Sequence, residues 1–177
     1  MFFRSLALLA VVTALAGLAG CSAPRLTEFA PSCPRVVILA DAADLSRYRA
    51  SGGRDLTDLV LDGRIVSFKG GCKLEGVDHV RAKLTVDLRL TRGPAGSRVS
   101  QISYFVAVRE GNQVLDKQTY NLGINFPENQ DQMRLTGPEA SLIVAVNKDK
   151  SAAAYDVLIG FQLSAEELAV NRRRGLR

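Results

Sequence analysis

The sequence predicts an all-β fold, an immunoglobulin-like antiparallel β-sandwich followed by a short C-terminal helix. Three observations carry this expectation. Residues 80–91 alternate, with Leu84, Val86, Leu88 and Leu90 on one side and Lys83, Thr85, Asp87, Arg89 and Thr91 on the other. That is the period of a strand with one buried and one wet face. Roughly seven short apolar segments are separated by Gly, Pro and Asn turns, which is the rhythm of a sandwich. No alternation of strands with helical patterns suggests a parallel sheet.

The chain opens on a segment outside this fold. Arg4 supplies a positive charge, and residues 5–17 form a short apolar run of mainly Leu, Ala and Val. The run is too short to span a bilayer comfortably and ends in small residues, the layout of a secretory signal peptide. It closes on Leu18-Ala19-Gly20-Cys21, which resembles the lipobox of bacterial lipoproteins. The resemblance implies diacylglyceryl transfer to the Cys21 thiol, cleavage before Cys21, and acylation of the new amino end with a palmitate-type chain. Small residues let an extended backbone enter a peptidase groove, and only a thiol makes the thioether. One acyl chain binds membranes marginally, at about 0.8 kcal/mol per buried methylene, whereas several chains anchor firmly. Ser22 follows the cysteine. In the Gram-negative lipoproteins that this start resembles, Ser at that position permits export to the outer membrane.

The expected division is residues 1–20 as signal peptide, 21–34 as lipidated cysteine and tether, and 35–177 as the sandwich with its helix. The tether holds Pro24 and Pro31 and no periodicity, and it reaches a few tens of ångströms at about 3.3 Å per residue.

Within the domain, residues 36–39 (Val-Val-Ile-Leu) are a continuous apolar run, as expected of a strand buried on both faces. Residues 41–53 are polar and suit a helical turn or a long loop. Residues 59–68 alternate imperfectly and stop at Gly70-Gly71-Cys72, read as a turn or bulge. The strand over 80–91 ends at Gly93-Pro94-Ala95-Gly96. Residues 102–108 and 114–122 flank Glu110-Gly111-Asn112, a tight hairpin signal. Residues 142–146 and 155–163 form the last pair. Ser164 and Glu167 make a capping box, and Arg172, Arg173 and Arg174 suit a helix C-terminus.

Composition narrows the function. The 177 residues carry a formal charge of +5, which falls to +4 without Arg4. Mildly basic and well mixed, the chain lacks the footprint of a nucleic-acid binder. It has three cysteines. With Cys21 taken by lipid, Cys33 and Cys72 most simply pair in an oxidising periplasm; two free thiols are the alternative.

The residues that could carry chemistry are few. His79 is the only histidine, and neighbouring strand residues point apart, so Asp78 is badly placed to orient it. The simpler reading of His79 is an exposed strand-end residue, and no catalytic residue is assigned. Asp55, Asp58 and Asp62 could gather around Ca²⁺, but they lack EF-hand spacing and are simpler as solvated charges. No metal or cofactor is expected, since zinc-ligand spacing and a phosphate loop are both missing. The Arg-rich tail could meet anionic lipid or lipopolysaccharide phosphates, and its simpler reading is a frayed chain end.

Three pieces complete the reading: Cys33-Pro34; Tyr104-Phe105-Val106-Ala107-Val108; and Tyr155-Asp156-Val157-Leu158-Ile159-Gly160-Phe161-Gln162-Leu163 with Glu166-Glu167-Leu168 and Asn171-Arg172. Together they resemble a family of uncharacterised lipoproteins from Gram-negative bacteria. The resemblance implies an envelope location and a single domain, and it carries no activity. The leading expectation is a non-enzymatic lipoprotein, anchored to the outer membrane on its periplasmic side, that binds an envelope protein partner or supports envelope integrity. The alternative is handling of lipid or another apolar ligand between the sheets or under the C-terminal helix. A hydrolase, or an inhibitor of one, is the third possibility.

Overall fold

The structure is a computed structural model that describes residues 32–50 and 52–175. The expected signal peptide and the expected lipidation site Cys21 lie outside the described residues. Nine strands and one helix follow in chain order: β1 (Arg35–Ile38), β2 (Asp44–Tyr48), β3 (Leu59–Glu75), β4 (His79–Arg92), β5 (Val99–Glu110), β6 (Gln113–Asn125), β7 (Gln132–Thr136), β8 (Ala140–Ala145), β9 (Tyr155–Phe161) and α1 (Ala165–Arg174). They form an all-β sandwich of two sheets. One has the order β1-β9-β5-β6; the other runs β2-β3-β4, with β7 and β8 sharing the far edge of β4. No helix among the described residues is long and apolar enough to cross a membrane.

The strongest sequence signal becomes the centre of the second sheet. Leu84, Val86, Leu88 and Leu90 of β4 are all buried, and Leu88 and Leu90 have no exposed surface. They meet Tyr104, Val106, Phe126, Val157, Ile159 and Phe161 from the other sheet and its connections in one core. Each such apolar side chain contributes about 1.5–3 kcal/mol on leaving water. The outward β4 residues are wet or half-buried and take polar partners: Asp87 accepts from Thr136 at 2.6 Å and Ser67 at 2.9 Å.

Several elements differ from the sequence expectation. The run 36–39, expected as a strand buried on both faces, supplies β1, a half-buried edge strand. It pairs with β9 alone, and in parallel, so the sheets are not wholly antiparallel. The strand buried on both faces is β9, where Val157, Leu158, Ile159 and Phe161 are all buried. Two short strands beyond the expected seven appear within polar sequence, β2 and β7. Leu45 of β2 is buried, and so are Asp44 and Ser46. Their polar atoms are matched by Arg64, whose guanidinium donates twice to Asp44 at 2.7 and 3.0 Å, and by Asp62, which accepts from Ser46 at 3.0 Å.

The expected stop at Gly70-Gly71 is also corrected. β3 runs straight through both glycines and pairs with β4 as far as Glu75. A register shift between Ile65 and Ser67 changes which residues face the core. Leu61, Gly63 and Ile65 face it before the shift; Phe68, Gly70, Cys72 and Leu74 pair with core-facing β4 residues after it. One bulged residue is enough to break the apparent alternation. Glycine is needed at position 70 because a Cβ there would collide with the Lys83 carbonyl.

Candidate functional site

An apolar recess lies on the outside of the sheet β1-β9-β5-β6, beneath α1. Its floor follows from one small residue. Gly160 sits among large apolar neighbours in β9, and a Cβ on it would lie 2.8 Å from the Ala42 methyl and 3.0 Å from the Phe105 ring. The missing side chain lets the 3₁₀ turn Ala40–Ala42 and Phe105 close down on the sheet.

The helix forms the opposite wall. Its start is fixed by the expected capping box: the Glu167 N–H donates to Ser164 Oγ at 3.1 Å, and Glu167 Oε2 accepts from the Ser164 N–H at 2.8 Å. Glu167 and Glu166 also accept from Arg47 at 3.1 Å and Arg54 at 2.7 Å. At the other end, buried Asn171 donates to the backbone carbonyls of Asp41 and Asp44. Arg172 reaches Asp41 at 3.0 Å, and Arg174 reaches Ser46 at 3.0 Å. The Arg-rich tail expected as a frayed end is therefore docked. Arg172 and Arg174 are engaged on the turn and on β2, because the helix carries a polar face that matches buried polar groups on β2.

Between these walls is an open groove of about 390 Å³ lined by Leu39, Ala42, Phe105, Phe161, Leu163 and Leu168. Arg172 stands on one lip. Lys117 lies beside the lining residues Phe105 and Gln162, 4.5 Å above the Phe105 ring and donating to the Gln162 side chain at 2.7 Å. A second groove, about 460 Å³, lies on the far side of α1 and is polar. Arg47, Arg49 and Arg54 line it, but each faces a carboxylate, Glu167, Asp58 and Glu166 in turn. In the second groove every arginine is paired with a carboxylate, whereas in the first Arg172 is paired with Asp41 and Lys117 meets no carboxylate among the described residues.

Cys33 and Cys72 are joined by a disulfide with Cα atoms 5.7 Å apart. The bond ties the residues ahead of β1 to the far half of β3, across the seam between the sheets. Phe68 and Leu74 share the core-facing side there yet remain 38% and 54% exposed.

The other sequence candidates are dispersed. His79 begins β4, and its Nδ1 lies 2.7 Å from Asp78 Oδ1. That contact corrects the expectation that Asp78 is badly placed: Asp78 belongs to the turn ahead of β4, so strand alternation does not govern it. Both side chains are open to solvent, 44% for His79 and 65% for Asp78. Asp55, Asp58 and Asp62 have separate tasks. Asp55 caps the turn Leu56–Asp58, Asp58 faces Arg49 at 3.6 Å, and Asp62 accepts from Ser46. No group of three potential metal ligands gathers among the described residues.

Two further groups have strongly shifted acidities. Arg35 and Arg109 both bond Asp156, at 2.8 and 2.6 Å, and hold its carboxyl down at about 2. Burial pushes the Tyr104 phenol up to about 12. Its ring stacks on Tyr120 at 5.0 Å, and its hydroxyl has no hydrogen-bond partner among the described residues. It serves as core and does not face the groove.

Sequence reasoning missed the groove residues Phe105 and Gly160 and the clasp at Asn171. The available signals were a glycine inside the most apolar strand and a lone amide in the C-terminal helix. Comparison of the chain with protein-family models, with curated proteins and with solved structures finds no match in any of the three.

Proposed function

We propose that the protein is a non-enzymatic lipoprotein of the outer membrane, held by lipid on Cys21 with its sandwich on the periplasmic side, where it binds an envelope protein partner or supports envelope integrity. The observation that carries this reading is the bond between Cys33 and Cys72. A stable disulfide suits an oxidising compartment. Of three cysteines, it leaves Cys21 alone, in its lipobox-like setting, as the thiol for lipid. The dispersal of His79 and the acidic residues supports a binding rather than a catalytic role. Cys21→Ser is expected to leave the chain uncut and without lipid. Mass spectrometry of the amino-terminal peptide and membrane fractionation check this, and normal anchoring of that variant overturns the lipoprotein reading. Cross-linking in intact cells then identifies the partner.

A second reading, an apolar-ligand protein of the envelope, is favoured by the groove beneath α1. It lies where the sequence-based alternative puts a ligand, and its volume falls within the range of about 300–1,000 Å³ common to ligand sites.

A further inference from the structure

We propose that the groove beneath α1 takes a single-chain anionic amphiphile, a long-chain carboxylate, with its chain along Phe105, Leu163 and Leu168 and its headgroup between Lys117 and Arg172. The proposal rests on the second reading above and gives the ligand its chemical class.

Charge complementarity selects the headgroup. Lys117 is exposed, and the bonds it makes are to a neutral amide oxygen and the face of an aromatic ring. Neither cancels a full positive charge. Both groups that hold it, Gln162 and Phe105, line the groove, so the ammonium is held at its edge. Arg172 lines the groove itself, keeps its Nε on Asp41 and has a side chain that is 63% exposed. Arg173 follows, also exposed. One carboxylate, Asp41, stands in the lining against Arg172 and Lys117, so the edges carry more positive than negative charge, and the rest of the lining is Leu, Ala, Phe and Gln162. A cationic amphiphile meets repulsion there. An uncharged one gains only the apolar contact. A carboxylate gains both the apolar contact and a charge-assisted hydrogen bond.

The shape selects a single chain. The walls are one helix and one 3₁₀ turn, with Phe105 and Phe161 in the lining between them. The groove is open to solvent, so a chain can enter it without the sheets separating.

The test uses the lipidated protein in phosphatidylcholine nanodiscs with three photoreactive diazirine probes of equal chain length: a dodecanoic acid, a dodecanol and a dodecyl-trimethylammonium. The acid is expected to label peptides covering residues 39–42 and 161–168, the alcohol to label them weakly and the cation not at all. Lys117→Glu, an exposed change, is expected to lower labelling by the acid about fivefold. Ala40→Trp is expected to fill the groove and remove labelling, with an unchanged melting temperature showing that the fold is intact. Equal labelling of the groove by acid and alcohol, unchanged by Lys117→Glu, overturns the headgroup assignment and leaves the apolar-ligand reading standing. No labelling of these peptides by any probe overturns both.

Discussion

The side-chain amide of Asn171 donates to the backbone carbonyl of Asp44 over 2.7 Å, fastening the C-terminal helix to a strand 127 residues earlier in the chain. The same amide nitrogen reaches the Asp41 carbonyl at 2.9 Å. Asn171 is 6% exposed, so water does not replace these bonds when they are lost. Asn171→Leu is expected to cost about 1–3 kcal/mol, the range for buried acceptors left unpaired. Urea denaturation should show the loss, and hydrogen exchange should show α1 opening before the sheets. Protection of α1 equal to that of wild type would mean that the ion pairs alone hold the helix.

Val86 and Asp87 are neighbours on β4 with opposite fates. Val86 is 1% exposed, and Asp87 accepts from Ser67 and Thr136 on the outer face. Val86→Asp buries a charge without a partner and is expected to remove more than about 3 kcal/mol, enough to leave much of the protein unfolded. Asp87→Asn keeps an acceptor on the wet face and should be tolerated. Circular dichroism melts of the two variants distinguish the faces, and equal tolerance would contradict the core described above.

Asp156 makes stability depend on pH. Its carboxyl is held at about 2 by Arg35 and Arg109, below the ordinary carboxylate value of 3.8. The folded state therefore prefers the charged form more strongly than the unfolded chain does. The resulting stabilisation is fully present above the unfolded value and is lost as pH falls from about 4 toward about 2. Asp156→Asn should flatten that part of the stability curve. Melting temperatures from pH 2 to 6 check this by difference, since the depressed carboxyls of Asp55, Glu75 and Asp87 remain in both proteins. A parallel pair of curves would show that Asp156 is not the source.

Local pattern made part of this molecule legible before its structure. The facing of Leu84, Val86, Leu88 and Leu90 needs nothing beyond strand geometry, and the Ser164–Glu167 cap needs only three residues of spacing. β2 was hidden because its polar side chains are buried against Arg64, Arg174 and the helix, partners far away in sequence. The length of β3 was hidden because one bulged residue reverses its phase and because two glycines in a row resemble a turn. The groove was hidden for the same kind of reason. Phe105, Gly160, Ala42 and Leu168 meet only after the parallel pairing of β1 with β9 has brought the start and end of the domain together. Apolar content alone could not tell an edge strand such as β1 from a central one such as β9, since both are short runs of Val, Leu and Ile.

The pairing of Cys33 with Cys72 bears on that same closure. The bond spans a sequence separation of 39 residues, for which the chain-entropy estimate is roughly 4 kcal/mol, with real bridges often giving less. It fixes the residues just ahead of β1, a four-residue edge strand that pairs on one side only. Without the bond, β1 is the element most exposed to fraying, because an edge held by a single neighbour near a chain end has few contacts to lose. Changing both cysteines to Ser is expected to lower the melting temperature while leaving the circular dichroism of the folded state unchanged. Hydrogen exchange should rise first in Arg35–Ile38, ahead of the β4–β5 core. The bond is checked directly by thiol labelling of the mature protein, denatured without reductant. No reactive thiol is expected, since the proposed lipid would occupy Cys21 and the other two are bonded to each other. Labelling at both Cys33 and Cys72 would remove the bond, and with it the observation on which the envelope reading stands.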